Sequence, residues 1–130
     1  MSNAYATKGY LEHSAIFVKD MDWHIAFFED VFGMSIRTKT MDGDKIAQVW
    51  LYGGIQLSAK NDFSGDGGGF NHLGIMVEDL DKAVDAAYKR GVTEMPQGRN
   101  WVKLPEGICI EIMQAENNAV AQALEINPRK

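Results

Sequence analysis

Four residues of this chain could do chemistry by type and placement: His13, Gln56, His72 and Glu111. Two imidazoles, an amide oxygen and a carboxylate make a hard-to-borderline set of nitrogen and oxygen ligands, suited to Zn, Fe(II), Mn, Co or Ni. Any one of them alone reads as a solvated side chain on an amphipathic strand. Their positions give them weight as a set. The segment LEHSAIFVKDMD, from Leu11 to Asp22, lies on FNHLGIMVEDLD, from Phe70 to Asp81, without a gap and at a constant offset of 59. Both carry His at the third place, Ile at the sixth, Val at the eighth, and Asp at the tenth and twelfth. A repeat of this length marks one structural unit used twice.

The elements that position these residues follow from periodicity. In the second half Leu80, Ala83, Val84 and Ala87 recur at helical spacing, Asp79 or Asp81 can cap the exposed amides, and Gly91 follows Lys89 and Arg90. In the first half Met21, Ile25, Phe28 and Phe32 form the matching stripe, with Asp22 read as the N-cap and Gly33 as the left-handed stop. Between Met34 and Ala59 three strands are expected, the first two reversing at the Asp-Gly of MDGD and the last two at Gly53 and Gly54. The second half places strands near Val92, around Trp101 and around Ile110, the last two joined by Pro105, Glu106 and Gly107. Each half thus reads strand, helix, three strands. The first module covers 11–60 and the second 70–114. NDFSGDGGG, residues 61–69, is a linker or mobile lid too rich in Gly and polar residues to pack, and 115–130 is a tail or short terminal helix.

Strand side chains alternate, and each helix must cover the aliphatic side. In the first strand Ile16 and Val18 oppose His13, Ala15 and Phe17; in the first strand of the second module Leu73, Ile75 and Val77 oppose His72, Gly74 and Met76. Ile55 and Leu57 likewise oppose Gln56 and Ser58, and Ile108, Ile110 and Ile112 oppose Cys109, Glu111 and Met113. His13, Gln56, His72 and Glu111 therefore project from the faces away from the helices, and two sheets set edge to edge would converge them. By the same alternation Gln48, Trp50, Tyr52, Arg99, Trp101 and Lys103 join that face, giving an aromatic pocket with basic groups. Trp50, Arg99, Trp101 and Lys103 are the candidate substrate-binding residues, the two cations as partners for a carboxylate or phosphate. His24 falls outside the pattern on a helix flank, and Cys109 reads as packing.

Composition narrows the function classes. With 130 residues, 45% hydrophobic and 24% charged, the chain is expected to be one compact domain over 1–130, or two tightly fused halves, burying roughly two thirds of its unfolded surface. Net charge is -5 with pI near 5.1 and no basic run, so nucleic acid is not an expected partner. Apolar runs fall far short of the ~20 residues that span a bilayer, and no basic-then-apolar leader opens the chain. A cytoplasmic protein acting on a small molecule is expected. Its single cysteine cannot close an internal disulfide.

With LEHSAIFVKDMDWHIAFFEDVFGM and FNHLGIMVEDLDKAVDAAYKRGV in view, the chain resembles the vicinal oxygen chelate superfamily, which includes glyoxalase I, methylmalonyl-CoA epimerase, extradiol dioxygenases and bleomycin-resistance proteins. The resemblance covers Leu11 to Gln114. It implies an α+β fold of two tandem βαβββ modules, paired into a cupped mixed β-sheet with helices on the outer face. It also implies one divalent metal held by His13, Gln56, His72 and Glu111. That ligand order looks most like the epimerase arrangement; bacterial-type glyoxalase I usually has a carboxylate where this chain has Gln56. The resemblance further implies a homodimer, whose modules pair within one chain or are exchanged between two.

Such a metal polarises a carbonyl and stabilises an enolate, which implies an isomerase, epimerase or lyase. Glu111 would be both ligand and proton-carrying catalytic residue, and no second base stands out in the sequence. An Fe(II)-dependent extradiol-type dioxygenase is the alternative, since His13, His72 and Glu111 supply the two-His, one-carboxylate triad. A metal-free small-molecule binding or resistance protein ranks last, because the four ligand positions are filled.

Overall fold

The structure, a computed structural model, describes residues 4–129; residues 1–3 and 130, the extreme ends of the expected 1–130 domain, lie outside it. The elements in chain order are β1 (Gly9–Val18), α1 (Met21–Phe32), β2 (Ile36–Asp42), β3 (Lys45–Leu51), β4 (Ile55–Ala59), β5 (Phe70–Val77), α2 (Leu80–Lys89), β6 (Thr93–Met95), β7 (Gly98–Lys103), β8 (Cys109–Gln114) and α3 (Ala119–Glu125). This is an α+β chain in which strand, helix and three strands occur twice. The eight strands form one open mixed sheet in the order β2-β3-β4-β1-β5-β8-β7-β6. By contact the chain divides into two compact units, His13–His72 and Met1–Glu12 with Leu73–Lys130, the divisions falling inside β1 and β5.

In the unit His13–His72, β1 runs parallel to β4 and β4 antiparallel to β3, with β2 outermost. Val18, Met21, Val49, Leu51 and Leu57 make the buried core under α1, joined by Ile16, Ile25 and Phe28. The stripe read from the sequence fits except at Phe32, which is exposed at the helix end. α1 starts where Asp20, not Asp22, accepts a hydrogen bond from the Trp23 amide at 3.1 Å. Asp22 is inside the first turn, where its charge still suits the helix dipole. The helix ends at Gly33 with φ 68, a conformation that disfavours any side chain with a Cβ.

The other unit repeats the design. β5 runs parallel to β8, β8 antiparallel to β7, and β7 antiparallel to β6. Val77, Val84, Val102 and Ile112 are its buried core, with Leu80, Ala83 and Ala87 of α2 packed against them. Asp79 caps α2 through the Lys82 amide at 3.1 Å. Gln114, at the end of β8, accepts from the Leu80 amide at 3.0 Å and donates to the Glu78 carbonyl at 2.7 Å, fixing the entry to that helix. α3 buries Val120 and Ala121.

Two glycines mark close backbone approaches, one within each unit. A side chain at Gly9 would strike the Met76 carbonyl and Val77, and one at Gly69 would strike the Phe17 carbonyl. Gly69 closes a short 3-10 turn, Asp66–Gly69, in the segment read from sequence as unpacked. Glycine there permits close backbone approach as well as flexibility.

Candidate metal centre

His13 and His72 are buried, and their Nε2 atoms lie 3.2 Å apart within the unit His13–His72 of a single chain. The rings stand at 88° with centroids 5.2 Å apart. Strand alternation explains the placement, because β1 and β5 each turn an aliphatic row to their helix and leave the histidine on the other face. Two imidazole nitrogens this close either share a proton or turn two lone pairs toward one cation. Nitrogen ligands about 2.1 Å from a common ion, at angles between octahedral and tetrahedral, sit roughly 3.0–3.4 Å apart. The observed separation fits that range.

Gln56 is buried on β4 directly opposite Ala15. Ala15 is two residues beyond His13 on β1, so the Gln56 amide leaves the sheet on the histidine face. Trp50 of β3 stands opposite Gln56, and Ser58, a further buried polar residue, follows on the same face. The sequence reading put Ser58 beside Gln56 but gave it no role.

The register repeats in the other unit. Glu111 of β8 stands opposite Gly74 of β5 and opposite Trp101 of β7, as Gln56 stands opposite Ala15 and Trp50. His72 precedes Gly74 by two residues, so the alternation of β5 gives it the face that Glu111 uses. Ala15 and Gly74 are both buried, and their small size leaves room over the strand beside each ligand candidate.

The expected basic flank differs. The Arg99 guanidinium does not lie with Trp101 on the ligand face; it pairs with Asp85 of α2 at 2.9 Å and lies 4.3 Å from the Tyr88 ring centre. The Tyr88 hydroxyl donates to the Arg99 carbonyl at 2.9 Å. A long side chain at the start of a strand reaches round to an acid and an aromatic face, and alternation of Cβ atoms does not restrain its tip. Lys103 is exposed at the end of β7 and Tyr52 is exposed beyond β3, while Trp50 and Trp101 are half-buried. Cys109 is half-buried, with Sγ 3.8 Å from the Gly107 carbonyl. His24 lies where expected, on a helix flank, its Nδ1 2.6 Å from the Asp20 carbonyl.

The family model described as Glyoxalase/Bleomycin resistance protein/Dioxygenase superfamily matches residues 10–104. No curated protein matches the chain. Among solved structures, methylmalonyl-CoA epimerase from Mycobacterium tuberculosis is similar at a TM-score of 0.60 and 24% identity, over 93% of this chain and 97% of that one. Streptomyces coelicolor methylmalonyl-CoA epimerase in complex with 2-nitronate-propionyl-CoA is similar at 0.60 and 16%, over 83% and 95%. The 2,3-dioxygenase LapB from Pseudomonas sp. KL28 is similar at 0.63 and 18%, over 81% of this chain and 42% of that one. At these identities the neighbours show a shared fold. The family match covers most of the chain, from β1 through β7, and the chain belongs to the Glyoxalase/Bleomycin resistance protein/Dioxygenase superfamily.

Proposed function

We propose that the chain is a divalent-metal-dependent enzyme that stabilises an enolate beside a substrate carbonyl, of isomerase, epimerase or lyase type. His13, Gln56, His72 and Glu111 hold the ion in this reading. The observation that carries it is the buried His13–His72 pair, whose Nε2 atoms are spaced as two ligands of one ion would be. The repeated register around Gln56 and Glu111 supports the remaining two ligands.

When bound, the divalent ion supplies Lewis acidity that withdraws charge from a carbonyl oxygen. The protein residues do the rest. Gln56 is neutral, so Glu111 is the one formal anion of the set and leaves more of the cation's charge for the substrate than two carboxylates would. A Glu111 carboxylate oxygen accepts the proton from the carbon beside the carbonyl and returns it. Trp50 and Trp101, across from Gln56 and Glu111, supply flat apolar walls that keep water from the reacting carbon. The wider family reading also covers a small-molecule partner and a cytoplasmic location. No helix of the described residues is long and apolar enough to cross a membrane.

Elemental analysis of the purified protein beside a His72→Ala variant tests the ligand set. Stoichiometric metal in the wild type, lost in the variant, is expected. Solvent-deuterium uptake into 2-oxo acids and acyl-CoA esters by the metal-loaded protein then tests the chemistry. Oxygen consumption with catechols, dependent on Fe(II), would replace the proposal with the dioxygenase reading. Absence of stoichiometric metal from the wild type would replace it with metal-free binding.

A further inference from the structure

Beyond Gln56, β4 carries two more polar residues on the face of the histidines, all within the unit His13–His72. Ser58 is the next of that row and Lys60 the one after. The Lys60 amide donates to the Val18 carbonyl at 2.9 Å, so the alternation extends one residue past the end of β4. Ser58 is only 6% exposed, yet its hydroxyl has no hydrogen-bond partner among the described residues, and its oxygen is not sealed from the space over the sheet. A polar group at a place that packing alone would fill with carbon costs stability. The second half shows what packing alone selects: the places matching Ser58 and Lys60 hold Met113 and Ala115.

The Lys60 ammonium lies 4.7 Å over the Phe17 ring. Phe17 stands directly opposite Ser58 in the register of β1 and β4, so the ammonium is folded back toward the level of the Ser58 hydroxyl. A cation on a ring face keeps donors for a second partner. Lys60 makes no ion pair among the described residues, Asp62 included, which is exposed beyond the end of the strand. Gln56 and Gln48, the latter opposite Ser58 on β3, are neutral amides. Past Lys60 the face opens into a cavity of about 390 Å³ walled by Phe17, Phe63 and Phe70, with Asp62 also lining it. A hydroxyl and an uncompensated ammonium at one level are donors without an acceptor, and the group that satisfies both is an anion with two oxygens. With Arg99 engaged by Asp85, Lys60 is the cation that this face offers a substrate.

We propose that Ser58 and Lys60 bind a carboxylate of the substrate, the hydroxyl donating to one oxygen and the ammonium to the other, while the substrate carbonyl turns to the metal centre. The role in a reaction rests on the metal-dependent reading; the carboxylate site does not. Ser58 stands about 6.8 Å along β4 from Gln56. A 2-oxo acid has its two oxygen-bearing carbons adjacent and would set both groups on the ion. A 4-oxo acid, with two carbons between carbonyl and carboxylate, spans the row.

NMR titration of the isotope-labelled full chain, as purified and again after EDTA, with pentanoate and with neutral pentanamide tests the site. Pentanoate is expected to shift the amide signals of Ser58 and Lys60 and to bind about tenfold more tightly than pentanamide, with or without EDTA. Lys60→Gln should weaken pentanoate about tenfold and Ser58→Ala about fivefold, while Ser58→Thr, which keeps the hydroxyl, should lose less. Equal binding of the amide, or variants that bind as the wild type does, would overturn the proposal. So would an affinity that disappears with EDTA, which places the carboxylate on the ion. Inorganic phosphate that displaces pentanoate at equal concentration would overturn the choice of carboxylate. Lys60 is exposed, so Lys60→Gln carries the test if a change at Ser58 disturbs the fold in circular-dichroism melts. Deuterium uptake joins the site to the reaction: the metal-loaded protein should exchange 4-oxopentanoate faster than 2-oxopentanoate, and Lys60→Gln should raise KM for the former more than it lowers kcat. Equal exchange of the two acids would overturn the substrate class. Pentanoate binding that follows Ser58 and Lys60, with no exchange of any substrate, would end the metal-dependent reading and leave the carboxylate site standing.

Discussion

α1 and α2 are the same helix twice in the repeat, yet only their buried faces agree. Each turns aliphatic and aromatic side chains to a core of strand residues, Leu57 and Val49 in one case and Val102 and Ile112 in the other. Outward, α1 shows Trp23, Phe27 and Val31, while α2 shows Asp81, Lys82, Asp85 and Lys89. A second difference lies across the sheet, where Gln56 and Glu111 hold matching register positions with different charge. The inward residues are fixed by the need to fill a core, which both halves share. The outward residues and the ligand positions are free of that demand, so there the halves diverge toward separate tasks.

The charge difference is the place to break this comparison hardest. In the enolate reading, Glu111→Gln removes the proton carrier and should lower deuterium exchange about 10²–10⁴-fold. Gln56→Glu should retain metal yet slow exchange roughly tenfold, the effect of ~1.4 kcal/mol, because a second carboxylate neutralises more of the cation. Equal losses from the two substitutions would mean that the halves contribute interchangeably. The cores should instead respond alike. Val49→Ala and Val102→Ala each remove a fully buried side chain and should each cost about 2–3 kcal/mol in denaturant unfolding. A cost well below 1 kcal/mol in one half alone would show that the two cores do not support their own halves to the same degree.

What the sequence disclosed and what it withheld follow the same division. The faces of β1, β4, β5 and β8 were legible because alternation with period two is imposed by burial, and the histidine pair because the repeat set it at equivalent places. The second cap was legible as a choice between Asp79 and Asp81, while the first was misread as Asp22, because each repeat carries two aspartates two residues apart and backbone geometry selects Asp20 and Asp79. Arg99 was misplaced because its flexible tip answers to Asp85 and Tyr88, which no strand period reports. Phe32 was read as core because α1 has apolar residues on nearly every side, so its stripe has no sharp edge. The turn at Asp66–Gly69 was hidden by a composition that suits both a linker and a close backbone approach.

The caps sharpen the comparison at smaller scale. Asp20→Ala and Asp79→Ala each leave an exposed helix amide without its side-chain acceptor and should each cost about 1 kcal/mol. Thermal unfolding of the two variants measures this, and costs differing by more than about twofold would show that the helix starts are not equivalent.

The smallest effect belongs to an exposed contact within the second half. Asp85→Ala removes an exposed ion pair with Arg99 and should change stability by about 0–1 kcal/mol, less at high salt. The neighbouring Tyr88 phenol is raised above its ordinary value of 10.0 by burial and then by the charge of Glu94, with Arg99 opposing. A group raised in the folded state contributes stability below its unfolded pKa and loses it as pH climbs through the folded one. Wild type should therefore lose this increment only above pH 10, and Tyr88→Phe should lack that part of the alkaline loss. Melts of both proteins across that window decide the matter, since parallel curves would show that the Tyr88 proton is not linked to folding.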